Sequence, residues 1–409
     1  MITKITEHGH KLILAWIISI LFAFLSPLYS SSAAWLPGLI IILLGCYLLY
    51  KTLFPSIPLA LVTLGTLAMI GVMPLYVLSA TLLVITSGEL LFHYTGERPI
   101  SYAFYFIAGV LFSLALMYYT GYYTGLTAVM GVTVAVLLRS IFGGTAQAYM
   151  LELIGTAMAM LLIDDLDMNI DLQLIAYALV ISFGFAYFAY RLKTADIPGL
   201  FAAALIGIVL IVFADVRWFL IMLLFFLLAM FATRYNIEYK RSIRVEQEKG
   251  GARGYVNMFS NGLAPAIAAV CYGVYPHPIF IAAYLGGVAT AAADTNAGEI
   301  GVCGEVPYLI TNLKRVPKGT NGGVTLLGEA AGLITAALIG FGAVLLGVAD
   351  LPLFFAAMLG GFIGTNLDSL FGQIFENKGY FGNAGTNLLA TSCGCVVGAG
   401  IWLALTILL

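Results

Sequence analysis

The sequence predicts an all-α, polytopic membrane protein of about 15 transmembrane helices, with about 13 as the lower bound. Three observations carry this. Of its 409 residues 62% are hydrophobic and only 9% are charged, the mean hydropathy is +1.02, and apolar runs of spanning length recur from end to end. A soluble domain is about 25% charged, so water-soluble folds are excluded. A hydrocarbon core about 30 Å thick takes about 20 apolar residues per spanning helix.

Hydropathy and chain breaks place spans near 11–28, 33–51, 57–70, 73–92, 101–119, 121–139, 147–163 and 172–191. Others follow near 198–213, 217–233, 255–272, 277–293, 324–347, 351–367 and 387–408. The segments 57–70 and 351–367 are short enough to be re-entrant or tilted, which sets the range of the count. Loop charge orients the array. With a cytoplasmic N-terminus, strict alternation puts every one of the 18 Lys and Arg residues inside except Arg217, as the positive-inside rule requires. The acidic group Asp164, Asp165, Asp167 and Asp171 then lies outside, with the interfacial tyrosines Tyr118, Tyr119, Tyr122 and Tyr123.

A net charge of -2 gives no case for nucleic-acid binding. Cys46, Cys271, Cys303, Cys393 and Cys395 are scattered through apolar segments and form no disulfide framework, and the Cys393/Cys395 pair reads as packing. The apolar run after Lys11 lacks a small-residue cleavage site, so no cleaved signal peptide is expected.

The chain changes character near residue 195. The region 1–195 has short loops and few buried polar groups, among them Glu89, His93 and Glu152. Glu89 and His93, at i and i+4, share a helix face, as ligand groups or as an interfacial pair. The region 196–409 carries three polar segments, 234–254, 294–323 and 368–386, all expected as loops on the cytoplasmic face.

The middle segment places acid first and base after. Asp294 and Glu299 offer hard oxygen ligands suited to Mg²⁺, since carboxylates at the end of a membrane helix are costly unless paired or metal-bound. Lys314, Arg315 and Lys318 follow, and then Gly319, Thr320, Asn321, Gly322 and Gly323 lead into a helix N-terminus. Glycines let backbone N–H groups face an anion, and a helix N-terminus favours phosphate. Metal ligands, cations and oriented donors are what phosphoryl transfer needs. A positive-inside loop with glycine turns is the competing explanation.

In the third segment Asn366, Asp368, Ser369 and Gln373 sit within two helical turns at the end of a span, followed by Glu376, Asn377, Lys378, Asn383 and Asn387. Helix capping accounts for one of these but not for the set. In the first, Arg253, Asn257 and Asn261 run into a helix, where topology or anionic lipid equally explains the basic residues. Glu329 reads as reaching the polar site or as bonding a neighbouring helix, and His277, between Pro276 and Pro278, reads as structural. No G-x-x-x-x-G-K-[ST] loop, kinase glycine loop, H-E-x-x-H or nucleophile elbow occurs, so no soluble nucleotide-binding fold is present.

With Asp294-Thr295 and Glu299-Ile300-Gly301, then Lys318-Gly319-Thr320-Asn321-Gly322-Gly323-Val324, then Asp368-Ser369 with Gly372 and Gln373, the stretch from about Arg191 onward resembles the membrane family of plant phytyl-phosphate kinase and animal transmembrane protein 19. That resemblance implies nucleotide-dependent phosphorylation, with CTP the expected donor, of a prenyl monophosphate to the diphosphate. Its acid-then-basic layout is similar to that of phytol and dolichol kinases. Gly298 stands where a serine is usual, and Asn321 and Thr325 where aspartate and serine are common. The first 190 or so residues fall outside the resemblance.

The expectation is a Mg²⁺-dependent prenyl-phosphate kinase at the cytoplasmic interface. Asp294, Glu299 and Asp368 are its metal-binding and catalytic residues. Arg253, Asn257, Asn261, Lys314, Arg315, Lys318, the 319–323 turn, Asn366, Ser369, Gln373 and Asn383 are its nucleotide and substrate contacts. The alternatives are a transporter or flippase of a lipid or small anion, and a cytidylyltransferase acting on a lipid phosphate.

Overall fold

The computed structural model describes residues 2–28, 35–51, 56–122, 124–168, 170–243 and 254–408, with side chains from Gly9 onward. These residues are almost wholly helical. In order the helices are α1 (Ile2–Leu25), α2 (Trp35–Lys51), α3 (Ser56–Met69), α4 (Leu75–Thr95), α5 (Pro99–Thr120), α6 (Gly125–Phe142), α7 (Ala148–Asp164) and α8 (Leu172–Arg191). There follow α9 (Ile197–Phe213), α10 (Val216–Arg234), α11 (Ile237–Ser242), α12 (Tyr255–Val274), α13 (Pro278–Gly301), α14 (Leu326–Leu345), α15 (Leu351–Phe371) and α16 (Asn383–Leu408). Every predicted span coincides with one of these, and only α11, with six residues, was not foreseen. Among the described residues ten helices are long and apolar enough to cross a bilayer, and α2, α3 and α9 are shorter apolar helices. The protein is a multi-pass helical membrane protein.

The helices form two compact units, 1–176 and 177–409, divided within α8. In the first, α4 is buried on nearly every side. α2 and α3 pack so closely that a Cβ on Gly38 would lie 2.6 Å from the Gly65 carbonyl oxygen. With no hydrophobic force between helices in lipid, such small-residue seams give the close packing that holds them together.

In the second unit α13 is central and packs against α10, α12, α14, α15 and α16. Its seams are lined by small residues. A Cβ on Gly286 would meet the Gly394 oxygen at 2.2 Å, one on Gly364 the Thr290 Oγ1 at 2.1 Å, and one on Gly360 the Gly398 Cα at 3.0 Å. Cys395 is buried, its Sγ packed against the site of Gly287, Cys393 is half-buried, and both cysteines are free. His277 caps α13, its Nδ1 accepting from Ile279 N at 3.2 Å.

The polar segments are not simple loops. α13 continues to Gly301, and α15 runs through Asp368 into a π-helical turn at Gly372–Glu376. The reason is that the acidic groups find partners inside the unit, so the helices need not end where charge begins. Beyond α13 the strands β1 (Tyr308–Leu309) and β2 (Gly323–Val324) pair antiparallel, with Tyr308 opposite Val324, and return the chain to the start of α14.

Candidate active site

Because 294–301 is helical, its two acidic residues are separated by helix geometry. Asp294 faces α15, where its carboxyl group is in hydrogen-bonding contact with that of Asp368. The Oδ1 of Asp368 is buried without a partner. Two touching carboxylates repel unless a proton or a cation lies between them.

Glu299 lies five residues on, about 140° further round the helix. There its Oε2 accepts from Lys240 Nζ at 2.5 Å. Lys240, 1% exposed, also donates to the Ala232 and Thr233 carbonyls at the end of α10, at 2.8 and 3.2 Å. The expectation that Glu299 joins Asp294 and Asp368 as a metal ligand is thereby corrected. Its charge is matched by a buried lysine, and the carboxylates that meet are Asp294 and Asp368. Among the described residues no group of three His, Cys, Asp or Glu side chains is placed to hold a metal.

The glycine-rich turn lies on the end of α15. Gly319 and Gly322 have φ of +84° and +79°, which L side chains adopt only under strain. A Cβ on Gly322 would be 2.6 Å from Gln373 Cβ and 2.9 Å from the Ser369 carbonyl oxygen. The second and third polar segments therefore close on each other. Between them is a cavity of about 190 Å³ whose lining includes Asp294, Gly298, Lys318, Thr320, Glu329 and Ser369.

Lys318 Nζ donates to the Gly304 carbonyl at 2.5 Å and to the Tyr239 hydroxyl at 2.8 Å, two of its three protons. Thr325 caps α14, accepting from Gly328 N at 3.0 Å and donating to the Gly301 oxygen at 3.1 Å, so the start of α14 lies at the cavity wall. Asn366 donates to Glu329 Oε2 at 3.1 Å and to the Phe362 oxygen at 3.0 Å. Glu329 thus does both things the sequence allowed, since it lines the cavity and bonds a neighbouring helix.

Other predicted contacts lie elsewhere. Lys314 and Arg315 are exposed on the hairpin and do not line the cavity. The Arg315 Nε donates to the Tyr308 hydroxyl at 3.2 Å, which holds the guanidinium above its usual range. Both lie on the turn between the paired strands, so of the three clamp candidates only Lys318 lines the cavity. Asn261 is buried in α12, donating to the Asn257 oxygen at 3.0 Å, whereas Asn257 and Asn383 are exposed. None of these three lines the cavity. Asn321 is exposed beside the turn, and the Gln373 Oε1 is buried without a partner next to Gly322. Arg253 lies outside the described residues.

Lys240 and Tyr239 are not among the site residues the sequence predicts, and Thr325 enters there only as a departure from the family pattern, not as a cap. A threonine three residues ahead of Gly328 at a helix start is a legible cap. Lys240 in a basic juxtamembrane stretch offered no signal.

The profile of the family described as integral membrane protein DUF92 matches residues 180–395, more than half of the chain. The chain belongs to this family. The DUF92 match spans every cavity residue named above and begins beyond the first unit. The chain is 32% identical over 212 residues to an uncharacterized membrane protein of Methanocaldococcus jannaschii, covering 51% of this chain and 87% of that one. It is 29% identical over 231 residues to Protein PGR of Arabidopsis thaliana, covering 50% and 80%. To Protein VTE6, chloroplastic, of the same plant it is 27% identical over 188 residues, covering 44% and 56%. These matches bear out the resemblance of the DUF92 region to the phytyl-phosphate kinase and transmembrane protein 19 family. No solved structure is significantly similar.

Proposed function

We propose that this protein is a membrane kinase that transfers a phosphoryl group from a nucleoside triphosphate, CTP as the expected donor, to a prenyl monophosphate of the phytyl or geranylgeranyl type, giving the diphosphate. One observation carries the reading: a single cavity is lined by Asp294, whose carboxyl touches that of Asp368 just behind the wall, and by Lys318 with Gly319, Thr320 and Gly323 of the glycine-rich turn. The similarity to Protein VTE6 supports it.

Mg²⁺ is the expected cofactor, and the residues fit it. The ion needs only one or two carboxylates, its other positions going to water and substrate phosphates. Asp294 and Asp368 would hold it, and the buried Asp368 Oδ1 has no competing partner. When bound, the ion would neutralise charge developing on the phosphate oxygens. Lys318, fixed by Gly304 and Tyr239, places a cation on the cavity wall where the transferring group would sit. Gly319 and Gly323 line the cavity without side chains, which leaves room for a phosphate to approach the backbone there. A substrate phosphate is already ionised, so no strong general base is needed. The charge pattern of the loops supports opening to the cytoplasm.

The test is turnover by the purified protein of phytyl or geranylgeranyl phosphate with CTP or ATP and Mg²⁺, assayed as prenyl diphosphate. Asp294→Ala and Asp368→Ala should each lose on the order of 100-fold or more, whereas Lys314→Ala, outside the cavity, should stay within a few-fold. Absence of turnover with every nucleotide, or full activity in Asp294→Ala, overturns the proposal. A nucleotide-linked lipid with released pyrophosphate would instead indicate cytidylyl transfer. Transport is the weaker reading because transporter sites lie near the bilayer midplane, and these polar groups cluster at helix ends.

A further inference from the structure

The first unit contains a buried ionisable cluster that the kinase reading does not use. Glu89 of α4 is 3% exposed, Glu152 of α7 is fully buried, and their carboxyl groups are in hydrogen-bonding contact. Glu89 has a cation beside it: Arg139 Nε of α6 lies 3.1 Å from its Oε1, although that oxygen receives no hydrogen bond, and the Tyr149 phenol of α7 bonds the carboxyl group. Neither oxygen of Glu152 receives a hydrogen bond from any donor.

Two further observations point into the same spot. The Tyr105 ring of α5 lies flat over Gly88, where a Cβ would come within 2.0 Å of it. Its hydroxyl, fully buried and unpartnered, is close enough to sense the charge of both glutamates. The charged and titratable groups facing the pair are then Arg139 and Tyr149, with Tyr102 and Tyr105 from α5 and Glu97 just beyond α4. Arg139 can neutralise one carboxylate. The other must carry its own positive charge, since an ion left unmatched among packed helices is too costly to retain. Among the described residues no third His, Cys, Asp or Glu side chain joins the pair to cage a metal ion, and a proton needs no cage.

We propose that Glu89 and Glu152 form a membrane-buried proton-binding site, in which one proton rides on Glu152 and is donated to the Glu89 carboxylate, with Arg139 as the counter-ion. Glu152 lies in the second turn of α7, Arg139 in the last turn of α6 and Glu89 less than two turns from the end of α4. The site therefore exchanges its proton with the aqueous phase at that one end of the unit. The Arg139 side chain, 12% exposed, is the way in.

The test is infrared spectroscopy of the full-length protein in lipid vesicles at neutral pH, with glutamate carboxyls labelled with ¹³C so that the Asp294–Asp368 pair does not contribute. A protonated glutamate C=O band that shifts in D2O is expected, and Glu152→Gln should abolish it. Tyr105→Phe, which keeps both acids, should move the band without removing it, and decides the matter should Glu152→Gln not fold. A wild-type spectrum without a protonated glutamate band overturns the proposal, as does a band that survives in Glu152→Gln. A band present only when Na⁺ and K⁺ are withdrawn also overturns it, because a cation would then hold the place.

Discussion

At the scale of single residues, Asp294 and Glu299 stand in one short motif yet do different work. Their separation round α13 sends one to Asp368 and the other to Lys240. The sequence shows two acids near three cations. Which acid meets which cation depends on α11, six residues that insert Lys240 against α13. Lys240→Ala leaves Glu299 buried without its counter-charge and should destabilise the protein by about 3 kcal/mol, whereas Lys240→Met with Glu299→Leu should recover most of the loss. Thermal unfolding in detergent, read as a shift in Tm, measures both. Gly298 offers the opposite case. It is exposed on the cavity wall, and a Cβ there meets nothing within 4 Å. Gly298→Ser should therefore leave stability within about 0.5 kcal/mol of the parent while adding a hydroxyl to the cavity, seen as an unchanged Tm with altered nucleotide or metal affinity.

At the scale of elements, most predicted helix bounds fall within a few residues of the observed ones, and the ends of α13 and α15 are the marked departures. Asp196, Asp215, Thr325 and Asp350 each cap the helix that follows, a local rule visible in sequence. Both α13 and α15 run past their predicted ends, because charge there does not mark the exit from the membrane. In the folded unit those charges are matched by partners from other helices. The cap at Asp215 gives a pH prediction. Partial burial pushes its carboxyl up, but hydrogen bonds from the Arg217 side chain and backbone, with that residue's charge, outweigh this and hold it below the usual carboxylate range. A group with a lowered folded value contributes fully above its unfolded value, about 3.9, and the contribution is lost as pH falls through the folded value. Asp215→Ala should cost about 1 kcal/mol at neutral pH, and the difference in Tm from the parent should close as the pH is taken below that window. A gap that persists in acid would mean that the cap acts through packing rather than charge.

At the scale of the whole molecule, the test of the site is sidedness. In a background lacking the five native cysteines, Asn321→Cys and Asn377→Cys, both exposed at the mouth of the second unit, should react with a membrane-impermeant thiol reagent from the same side, expected to be the cytoplasmic one. Labelling from opposite sides would separate the glycine-rich turn from the end of α15 and remove the shared cavity.

Composition and hydropathy by themselves determined that this is a multi-pass helical membrane protein, because the cost of placing peptide and charge in hydrocarbon admits few alternatives. Short-range chemistry determined the helix starts and which segments are polar. Only the tertiary structure decided that Glu299 belongs to Lys240, that Lys314 and Arg315 turn outward, and that Glu89 meets Glu152. The first and last of these are contacts between residues dozens of positions apart, set by how helices seat along glycine-lined seams, and no local pattern encodes them.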